Sequence, residues 1–559
     1  MALFAAKTSL LRLRRIAVEA KGGQRARRLA PGASMRGALV AARVSSPLWI
    51  GLTGVKEHAL TAGKIHNLRL ALRTIDGIEV KAGEVFSFWK QVGRTTRRRG
   101  FVEGRELREG CLIRNIGGGL CQLSNGLYEA ALEAGLEIIE RHAHSRIVPG
   151  SRAAEGRDAT VFWNYVDLRF RSTSPFRIEA ALHRGRLEIV IRGAKSPARS
   201  FLQRHDGRAS GDCISCNERD CHRHDPDSSP VSGADRPTAW LVDACWPEFA
   251  KLFQEKASRE DGLFLPQRLK ESSRSDWPQT VAGSERRATV VALRRAIALR
   301  RTSGHGRALQ TLLMRYDEAL ARSYARKLSH LHTHAVISLP LLPHLWRMGV
   351  LAGRTFDVLM ERAPMGMLQA MLDDAAGRFP ESPTLADFRA PPEIVDAEAE
   401  ALAQARLLYT PHRAIARFDP ARTVLLDWIM PAALPKALPG GRTILFPASA
   451  LGRKGAYVLR EALEALDVEL VVTGKAREQD NHFWRDIEVR ETATWPSRLA
   501  AVVLPAIVEH QPRALLRGLA QGLPVIATEA CGLGDMPGLT TVAEFDATGL
   551  RAAIASTLT

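Results

Sequence analysis

Residues 116–128 read IGGGLCQLSNGLY, and this order of residue types predicts a loop that leads directly into a helix. Glycine allows positive φ and a close approach of backbone to ligand, so Gly117, Gly118 and Gly119 leave consecutive N–H groups uncovered. Cys121 would stand at the helix start, where unpaired N–H groups and the helix dipole favour a thiolate. The pattern predicts a loop that holds an oxyanion while Cys121 attacks a carbonyl carbon. In the simpler alternative, Cys121 is a small buried residue and the glycines only form a tight turn.

A cysteine nucleophile needs a base, and two histidines follow the helix. The segment RHAHS supplies His142 and His144, and the residues alone do not choose between them. Asp158, in GRDAT, could orient an imidazole as the third member of a triad. These residues complete a candidate catalytic set around Cys121.

Residues 51–195 form one compositional unit, for which the patterns predict an α+β fold. Apolar residues recur at helical spacing after the glycines. TVFWNYVDLRFRS (160–172) has the composition of a strand. FRIEAALHRGRLEIVIRG (176–193) alternates apolar and polar residues on both sides of Arg184 and Gly185, which predicts a hairpin.

This unit resembles the VanW family, named for an accessory protein of vancomycin-resistance clusters. The resemblance covers roughly residues 55–195 and is carried by AGEVFSFWKQVGRTTRRRGF, IGGGLCQLSNGLYEAALEAGLEIIERHAHS and GRDATVFWNYVDLRFRS. The family motif GGG-I/L-C-Q-V/L-S-S/T-x-L-Y is kept, except that Asn125 replaces Ser or Thr. The resemblance implies a role in the cell envelope. Some VanW-containing wall proteins are thought to be cysteine L,D-transpeptidases, which implies Cys121 as acyl acceptor and His142 or His144 as base.

Residues 196–236 are polar and predict a linker that carries a cluster of cysteines. In DCISCNERDCHRHDP the spacing suits a tetrahedral zinc site formed by Cys213, Cys216, Cys221 and His224. An iron–sulfur cluster on the three cysteines is the second interpretation, and unliganded thiols are the third.

The second half of the chain predicts two α/β domains, residues 237–430 and 431–559. After Pro439, short apolar strands alternate with amphipathic helices, as in RTILFPAS, GAYVLREALEAL, VELVVTG and LPVIAT. Such alternation indicates parallel sheets.

This half resembles GT-B glycosyltransferases of the family 4 (group 1) type, which have a pair of Rossmann-like domains. The resemblance rests on ILFPASALGRKGAYVLREAL and VVLPAIVEHQPRALLRGLAQGLPVIATEACGL. It implies a nucleotide-sugar donor whose diphosphate meets Arg453 and Lys454, with Glu509 as the first glutamate of the E-x7-E region. Arg517 replaces the second glutamate, which reverses the charge where the donor would be held. His332 and His334 are candidates for an acceptor-side base, although such a pair is more often structural.

The charge distribution predicts where the chain acts. The formal net charge is +19, and residues 1–50 contain ten Lys or Arg and one acid, Glu19. Such an arm suits an anionic membrane surface or is a solvated tail. Nucleic acid is not expected, because aromatic residues do not interleave with the basic cluster. Without a signal peptide or a long apolar segment, we expect a cytoplasmic protein that associates with the inner face of the membrane.

Three functional hypotheses follow. In the first, the chain is an envelope-biogenesis enzyme that acts on a peptidoglycan precursor or glycan acceptor, and both halves are active. In the second, only the cysteine domain is catalytic. In the third hypothesis it is a non-catalytic accessory protein that binds a nucleotide-sugar or a wall precursor.

Overall fold

The computed structural model describes residues 9–11, 13–15, 17, 26–49, 55–108, 111–144, 156–163, 165–193, 237–267, 277–278, 282–302, 306–432, 438–478, 483–484, 487–492 and 494–558. The chain divides into two compact units. The first unit contains residues Met1–Pro237 with the short segments Ser329–Thr333 and Leu351–Thr355, and the second contains the remainder.

The first unit is α+β, as the sequence predicts, and its strands form three small sheets. Their orders are β1-β9-β8-β2, β3-β7-β6 and β4-β5. The elements are β1 (Val40–Pro47), α1 (Val55–Leu72), β2 (Ile78–Val80), β3 (Val85–Ser87), α2 (Phe88–Val92), β4 (Glu103–Arg108), β5 (Cys111–Ile116), α3 (Cys121–Glu133), β6 (Glu137–Glu140), β7 (Arg169–Arg171), β8 (Phe176–His183) and β9 (Arg186–Gly193).

Helix α3 carries the cysteine and is anchored by its apolar face. Leu123, Leu127 and Ala131 are fully buried in the core of the unit, so the helical spacing predicted from the sequence is confirmed. The hairpin of β8 and β9 is also confirmed, with Arg184 and Gly185 at φ 45° and 73° in its turn. Alternating burial explains both assignments.

The long strand predicted for residues 160–172 is wrong over most of its length, because among the described residues of this segment only Arg169–Arg171 forms a strand. Phe162 and Val166 instead exchange backbone hydrogen bonds of 3.0 and 3.2 Å and close a short turn. The indole of Trp89 donates to the Val166 carbonyl at 2.8 Å and holds this turn. A tertiary contact has therefore overridden the strand propensity.

The second unit contains two larger sheets. Their orders are β12-β11-β10-β13-β14-β15-β16 and β19-β18-β17-β20-β21-β22. The strands are β10 (Thr238–Leu241), β11 (Gly262–Leu265), β12 (Ser284–Arg287), β13 (His334–Ser338), β14 (Thr355–Leu359), β15 (Leu408–Thr410), β16 (Thr423–Leu425), β17 (Leu438–Phe446), β18 (Glu469–Val472), β19 (Glu488–Glu491), β20 (Arg498–Leu504), β21 (Val525–Thr528) and β22 (Leu539–Val542).

Helices connect these strands. They are α4 (Pro247–Lys256), α5 (Thr289–Arg301), α6 (Arg307–Lys327), α7 (Leu342–Arg347), α8 (Met365–Arg378), α9 (Pro392–Gln404), α10 (Arg413–Ala416), α11 (Ala456–Leu463), α12 (Arg513–Ala520) and α13 (Ala547–Ala555). Within the part of the chain that the structure describes, no helix combines the length and apolar character needed to cross a bilayer.

Both sheets of the second unit have the Rossmann strand order, in which the first strand lies between the second and the fourth. Strand β10 pairs in parallel with both β11 and β13, and β17 pairs in parallel with both β18 and β20. The predicted α/β class is confirmed. In such sheets, ligands bind outside the carboxyl ends of the strands where the strand order reverses.

Candidate functional site

Residues 117–119, here called the glycine loop, must be glycine because of their backbone conformation and their close packing. Gly117 and Gly119 have φ of 79° and 98°, a region that side chains disfavour. A Cβ on Gly117 would also lie 2.5 Å from Cβ of Thr95, and one on Gly119 would lie 2.1 Å from Cγ of Lys64. Neither position accepts a larger residue without a shift of its neighbours.

At Gly118 a side chain is excluded because the backbone of strand β4 passes very close. Its Cβ would lie 2.4 Å from the carbonyl carbon of Gly104 in β4. The buried Asn67 side chain of α1 fixes this crossing, because its amide nitrogen donates to the Gly118 and Val102 carbonyls at 3.0 Å each. Its amide oxygen accepts the Val102 N–H at 3.0 Å. The N–H groups of Gly117 and Gly118 donate to the carbonyls of Val102 and Asn115 at 2.9 and 3.0 Å, so the expectation of uncovered N–H groups is wrong for these two glycines.

Three N–H groups at the end of this loop point to an anion-binding role. Helix α3 has no side-chain cap, and within the described residues the N–H groups of Gly119, Leu120 and Cys121 have no hydrogen-bond acceptor. Unpaired N–H groups at a helix start carry partial positive charge and attract anions. This arrangement can stabilise an oxyanion beside the Cys121 thiol.

Cys121, His144 and Asp158 act on one another in series. The half-buried Cys121 thiol interacts with the His144 side chain and raises its pKa. Nδ1 of His144 lies 2.7 Å from Oδ2 of Asp158, and both residues are buried. Arg141 donates to Oδ1 and to the carbonyl of Asp158 at 2.7 Å each, which fixes the carboxylate. The three residue types lie in the order required for a cysteine nucleophile, a base and an orienting group.

These contacts change the protonation of the histidine. Burial lowers the pKa of His144, but hydrogen bonds and charges from Asp158 and Cys121 outweigh burial and raise it to about 9. Burial raises the pKa of Asp158, and the hydrogen bonds from His144 together with the Arg141 charge hold it below its usual value. The pair is an imidazolium and a carboxylate at neutral pH.

His142, the other candidate base, is directed elsewhere. Its side chain is 47% exposed, and Nε2 lies 3.2 Å from Oε1 of Glu140. The structure brings His144 to Cys121 and leaves His142 beside Glu140. Asn125, where the VanW motif has Ser or Thr, accepts the Ala159 N–H at 2.8 Å and so holds the segment that carries Asp158.

A cavity of about 240 Å³ opens beside the thiol. The glycine loop forms one wall, and Trp89 and Trp163 pack edge to face, 5.5 Å apart, in another. Tyr165 and the exposed Arg94 complete the aromatic and cationic part of the lining. These side chains come from segments distant in the chain, so no local sequence pattern indicates that they share a cavity.

Sequence comparison relates part of the first unit to known proteins. A family model described as "VanW like protein" matches residues 63–192. The uncharacterized protein YoaR of Bacillus subtilis is 38% identical over 128 residues, which cover 22% of this chain and 42% of YoaR. The vancomycin B-type resistance protein VanW of Enterococcus faecalis is 37% identical over 114 residues, covering 20% and 41%.

Residues 63–192 form a VanW-like domain. The chain spans about two fifths of the length of the curated relatives that it matches. The VanW-like domain contains Cys121, His144 and Asp158, together with the whole glycine loop.

The second unit contains a larger cavity of about 920 Å³. It lies beyond the carboxyl ends of the central strands of both sheets. Arg453, Lys454 and Glu509, the residues predicted to contact a donor, all line it. Nζ of Lys454 lies 2.7 Å from Oε2 of Glu509. The sequence did not predict His510, which lines the same cavity and whose pKa is lowered by burial and neighbouring cations.

Two other residues from the sequence analysis lie away from this cavity. The Arg517 guanidinium stacks over Trp495, 4.3 Å from the ring centre, and is not part of the lining. The charge reversal at this position therefore does not add a cation to the cavity. Nε2 of His334 lies 3.3 Å from Oδ2 of the buried Asp357, and neither residue lines the larger cavity.

Similarity to solved structures is distant. Sucrose-phosphate synthase from Thermosynechococcus elongatus has 13% identity and a TM-score of 0.37, covering 57% of this chain and 89% of that one. A UDP-forming α,α-trehalose-phosphate synthase from Burkholderia xenovorans has 13% identity and a TM-score of 0.32, covering 57% and 91%. Anabaena HepE, solved with UDP and glucose, has 11% identity and a TM-score of 0.34, covering 57% and 89%.

The predicted metal site lies outside the described residues. Its ligands Cys213, Cys216, Cys221 and His224 all fall between residues 194 and 236. Where the structure describes the chain, no group of three or more His, Cys, Asp or Glu residues could hold a metal ion. The zinc or iron–sulfur assignment stays a prediction from the sequence.

Proposed function

We propose that the VanW-like domain is a cysteine acyltransferase. The observation that carries the proposal is the series Cys121–His144–Asp158 at the start of α3. The Cys121 thiolate attacks the donor carbonyl carbon, and the N–H groups of Gly119, Leu120 and Cys121 stabilise the oxyanion. The His144 imidazolium gives its proton to the departing group as the thioester forms. Neutral His144 then takes a proton from the acceptor amine or water, which attacks the thioester and releases Cys121.

The substrate class that we propose is a peptide of the cell-envelope precursor type. One support is the relative whose name links it to vancomycin resistance, although the chain spans only part of it. The second support is the lining of the smaller cavity. Its aromatic walls suit a short peptide, and Arg94 suits a donor that carries a carboxylate. The alternative is an accessory domain that binds such a peptide without chemistry.

The first test is the reactivity of Cys121 toward iodoacetamide across pH, measured peptide by peptide with mass spectrometry. Cys245 is a matched internal control, because it is also half-buried but belongs to the second unit. We expect Cys121 to be alkylated faster than Cys245 at pH 6–7, and His144→Gln to remove the difference. Equal rates would contradict an activated thiolate.

The second test separates catalysis from binding. The full chain is incubated with wall-precursor peptides, and intact mass reports a thioester on Cys121, with Cys121→Ala as control. An adduct on the native chain alone supports the acyltransferase. Peptide binding of equal strength in both proteins, without an adduct, favours the accessory alternative.

For the second unit, we propose binding of a nucleotide-sugar donor in the larger cavity. The supporting observation is that Arg453 and Lys454 lie where the strand order of a Rossmann-like sheet reverses. Two cations at such a crevice suit a diphosphate. Whether a sugar is then transferred to a glycan acceptor is tested by sugar-nucleotide turnover in the full chain.

A further inference from the structure

Helix α5 presents an apolar stripe to solvent. None of its thirteen residues is buried. Val290, Leu293 and Ile297 are 63%, 57% and 40% exposed. The spacing i, i+3 and i+7 places these three side chains on one face of the helix. An exposed stripe of branched aliphatic residues at helical spacing indicates a surface that is covered in some functional state.

The same face is strongly basic. The helix sequence TVVALRRAIALRR contains four arginines and no acid. Arg294, Arg300 and Arg301 are exposed, and at about 100° per residue they fall within the arc of the apolar stripe or at its edges. Apolar residues and guanidinium groups therefore share one face.

The fourth arginine fixes the orientation of the helix. Arg295 points the opposite way, and its Nη1 donates to Oδ2 of Asp243 at 2.8 Å. Asp317 of α6 lies 3.8 Å from its other guanidinium nitrogen. Arg295 lines the larger cavity. The outward direction of the apolar stripe is thus set by an ion-pair network on the inward face.

We propose that the exposed face of α5, defined by Val290, Leu293, Ile297, Arg294 and Arg300, docks on an anionic lipid surface. Short aliphatic side chains enter the boundary between headgroups and acyl chains, and the arginines meet lipid phosphates. Charge complementarity selects this occupant, because the helix has no acid and the chain carries a net charge of +19. Each exposed cation near an anionic bilayer adds to the attraction.

Docking in this orientation has a consequence for the cavity. Helix α5 offers one face to the lipid and Arg295 on its other face to the cavity. The cavity would lie one helix diameter, about 10 Å, from the bilayer surface.

The test uses the full chain and vesicles of phosphatidylcholine with or without phosphatidylglycerol, at physiological salt. Co-sedimentation gives the dissociation constant for the native chain and for the double variant Leu293→Ser/Ile297→Ser. We expect binding only to the anionic vesicles and a weakening of at least about tenfold in the double variant. Leu438→Ser is the matched control, since Leu438 is also an exposed leucine of the second unit.

A position-specific readout separates α5 from the basic N-terminal residues. Leu293→Trp is compared with Leu438→Trp by quenching with brominated lipids. We expect quenching of the new tryptophan only at position 293. Equal affinity of native and double variant, absence of binding to anionic vesicles, or equal quenching at both positions would overturn the proposal. So would lipid-free self-association that the double variant abolishes, which would assign the stripe to a second copy.

Discussion

One carboxylate oxygen of Asp158 holds His144 twice. Oδ2 lies 2.7 Å from ring Nδ1 and accepts the backbone N–H of the same residue at 2.7 Å. The ring and its backbone are therefore fixed together. With Nδ1 directed at the carboxylate, Nε2 is the nitrogen that can exchange a proton with Cys121.

Replacing Asp158 with Asn keeps the shape but removes the charge that holds the imidazolium. We expect the alkylation rate of Cys121 at pH 7 to fall by about ten- to a hundredfold, since an amide also favours the wrong imidazole tautomer. The matched control is Asp167→Asn. Asp167 is a buried aspartate of the same domain whose carboxylate accepts from Ser87 and Trp89. If both variants slow alkylation of Cys121 equally per folded molecule, Asp158 does not activate the thiol through His144.

The raised pKa of His144 makes the domain less stable in alkaline solution. Because the folded value is about 9 and the ordinary value is 6.5, protonation stabilises the fold fully below pH 6.5, and this contribution is lost as pH rises toward 9. The loss is about 3 kcal/mol at 1.36 kcal/mol per pH unit. His144→Gln should abolish it.

The measurement is urea unfolding of the full chain at pH 6 and pH 9, followed by limited proteolysis with mass spectrometry of α3 peptides. His142→Gln is the control, because that side chain is largely exposed and should leave the pH dependence unchanged. A dependence that survives in His144→Gln would place its origin in another residue.

Gly119→Ala tests the close approach in the glycine loop. Gly83 has a similar φ of 75° and no atom within 4 Å of a built Cβ, so Gly83→Ala should cost only about 1–2 kcal/mol for the left-handed backbone. Gly119→Ala should cost more, because the new methyl meets Lys64 at 2.1 Å. It should also slow alkylation of Cys121. Thermal unfolding and alkylation rates check both effects, and equal behaviour of the two variants would refute the packing argument.

The Lys454–Glu509 pair predicts opposite effects of two substitutions in the larger cavity. Lys454→Met should weaken nucleoside-diphosphate binding by about tenfold, because it removes a cation and leaves a carboxylate that repels phosphate. Glu509→Gln should not weaken it, but should weaken a nucleotide-sugar if Glu509 contacts the sugar. Calorimetric titration with UDP, GDP and ADP measures this, with the exposed Lys251→Met as control. Lack of nucleotide binding by the native chain would contradict the donor proposal.

The sequence predicted the elements whose signals are local. Alternation in 176–193 gave the hairpin, and helical spacing around Leu123 and Leu127 gave α3, because burial on one face determines both. It could not choose between His142 and His144, which differ only in tertiary partners. It also missed Asn67, whose contact with Gly118 joins residues 51 positions apart.

The aromatic side of the smaller cavity escaped prediction for a related reason. Residues 160–168 have strand composition, yet the Trp89 indole holds Val166 in a turn and leaves Trp163 beside the cavity. The glycosyltransferase motif identified Arg517 as the residue at the position of the second glutamate. It could not predict the direction of the Arg517 side chain, because that direction depends on stacking over Trp495.

The crossing of Gly118 over Gly104 also bears on mutational tolerance. Two residues in contact can usually exchange volume, so that a larger side chain on one is compensated by a smaller one on the other. Here both are already the smallest residue, and a Cβ on either would meet the other's backbone, 2.4 Å away for Gly118 and 2.6 Å for Gly104. No compensating substitution exists for this pair. Libraries that aim to change substrate preference can therefore randomise Arg94 and Trp163, but should keep both glycines.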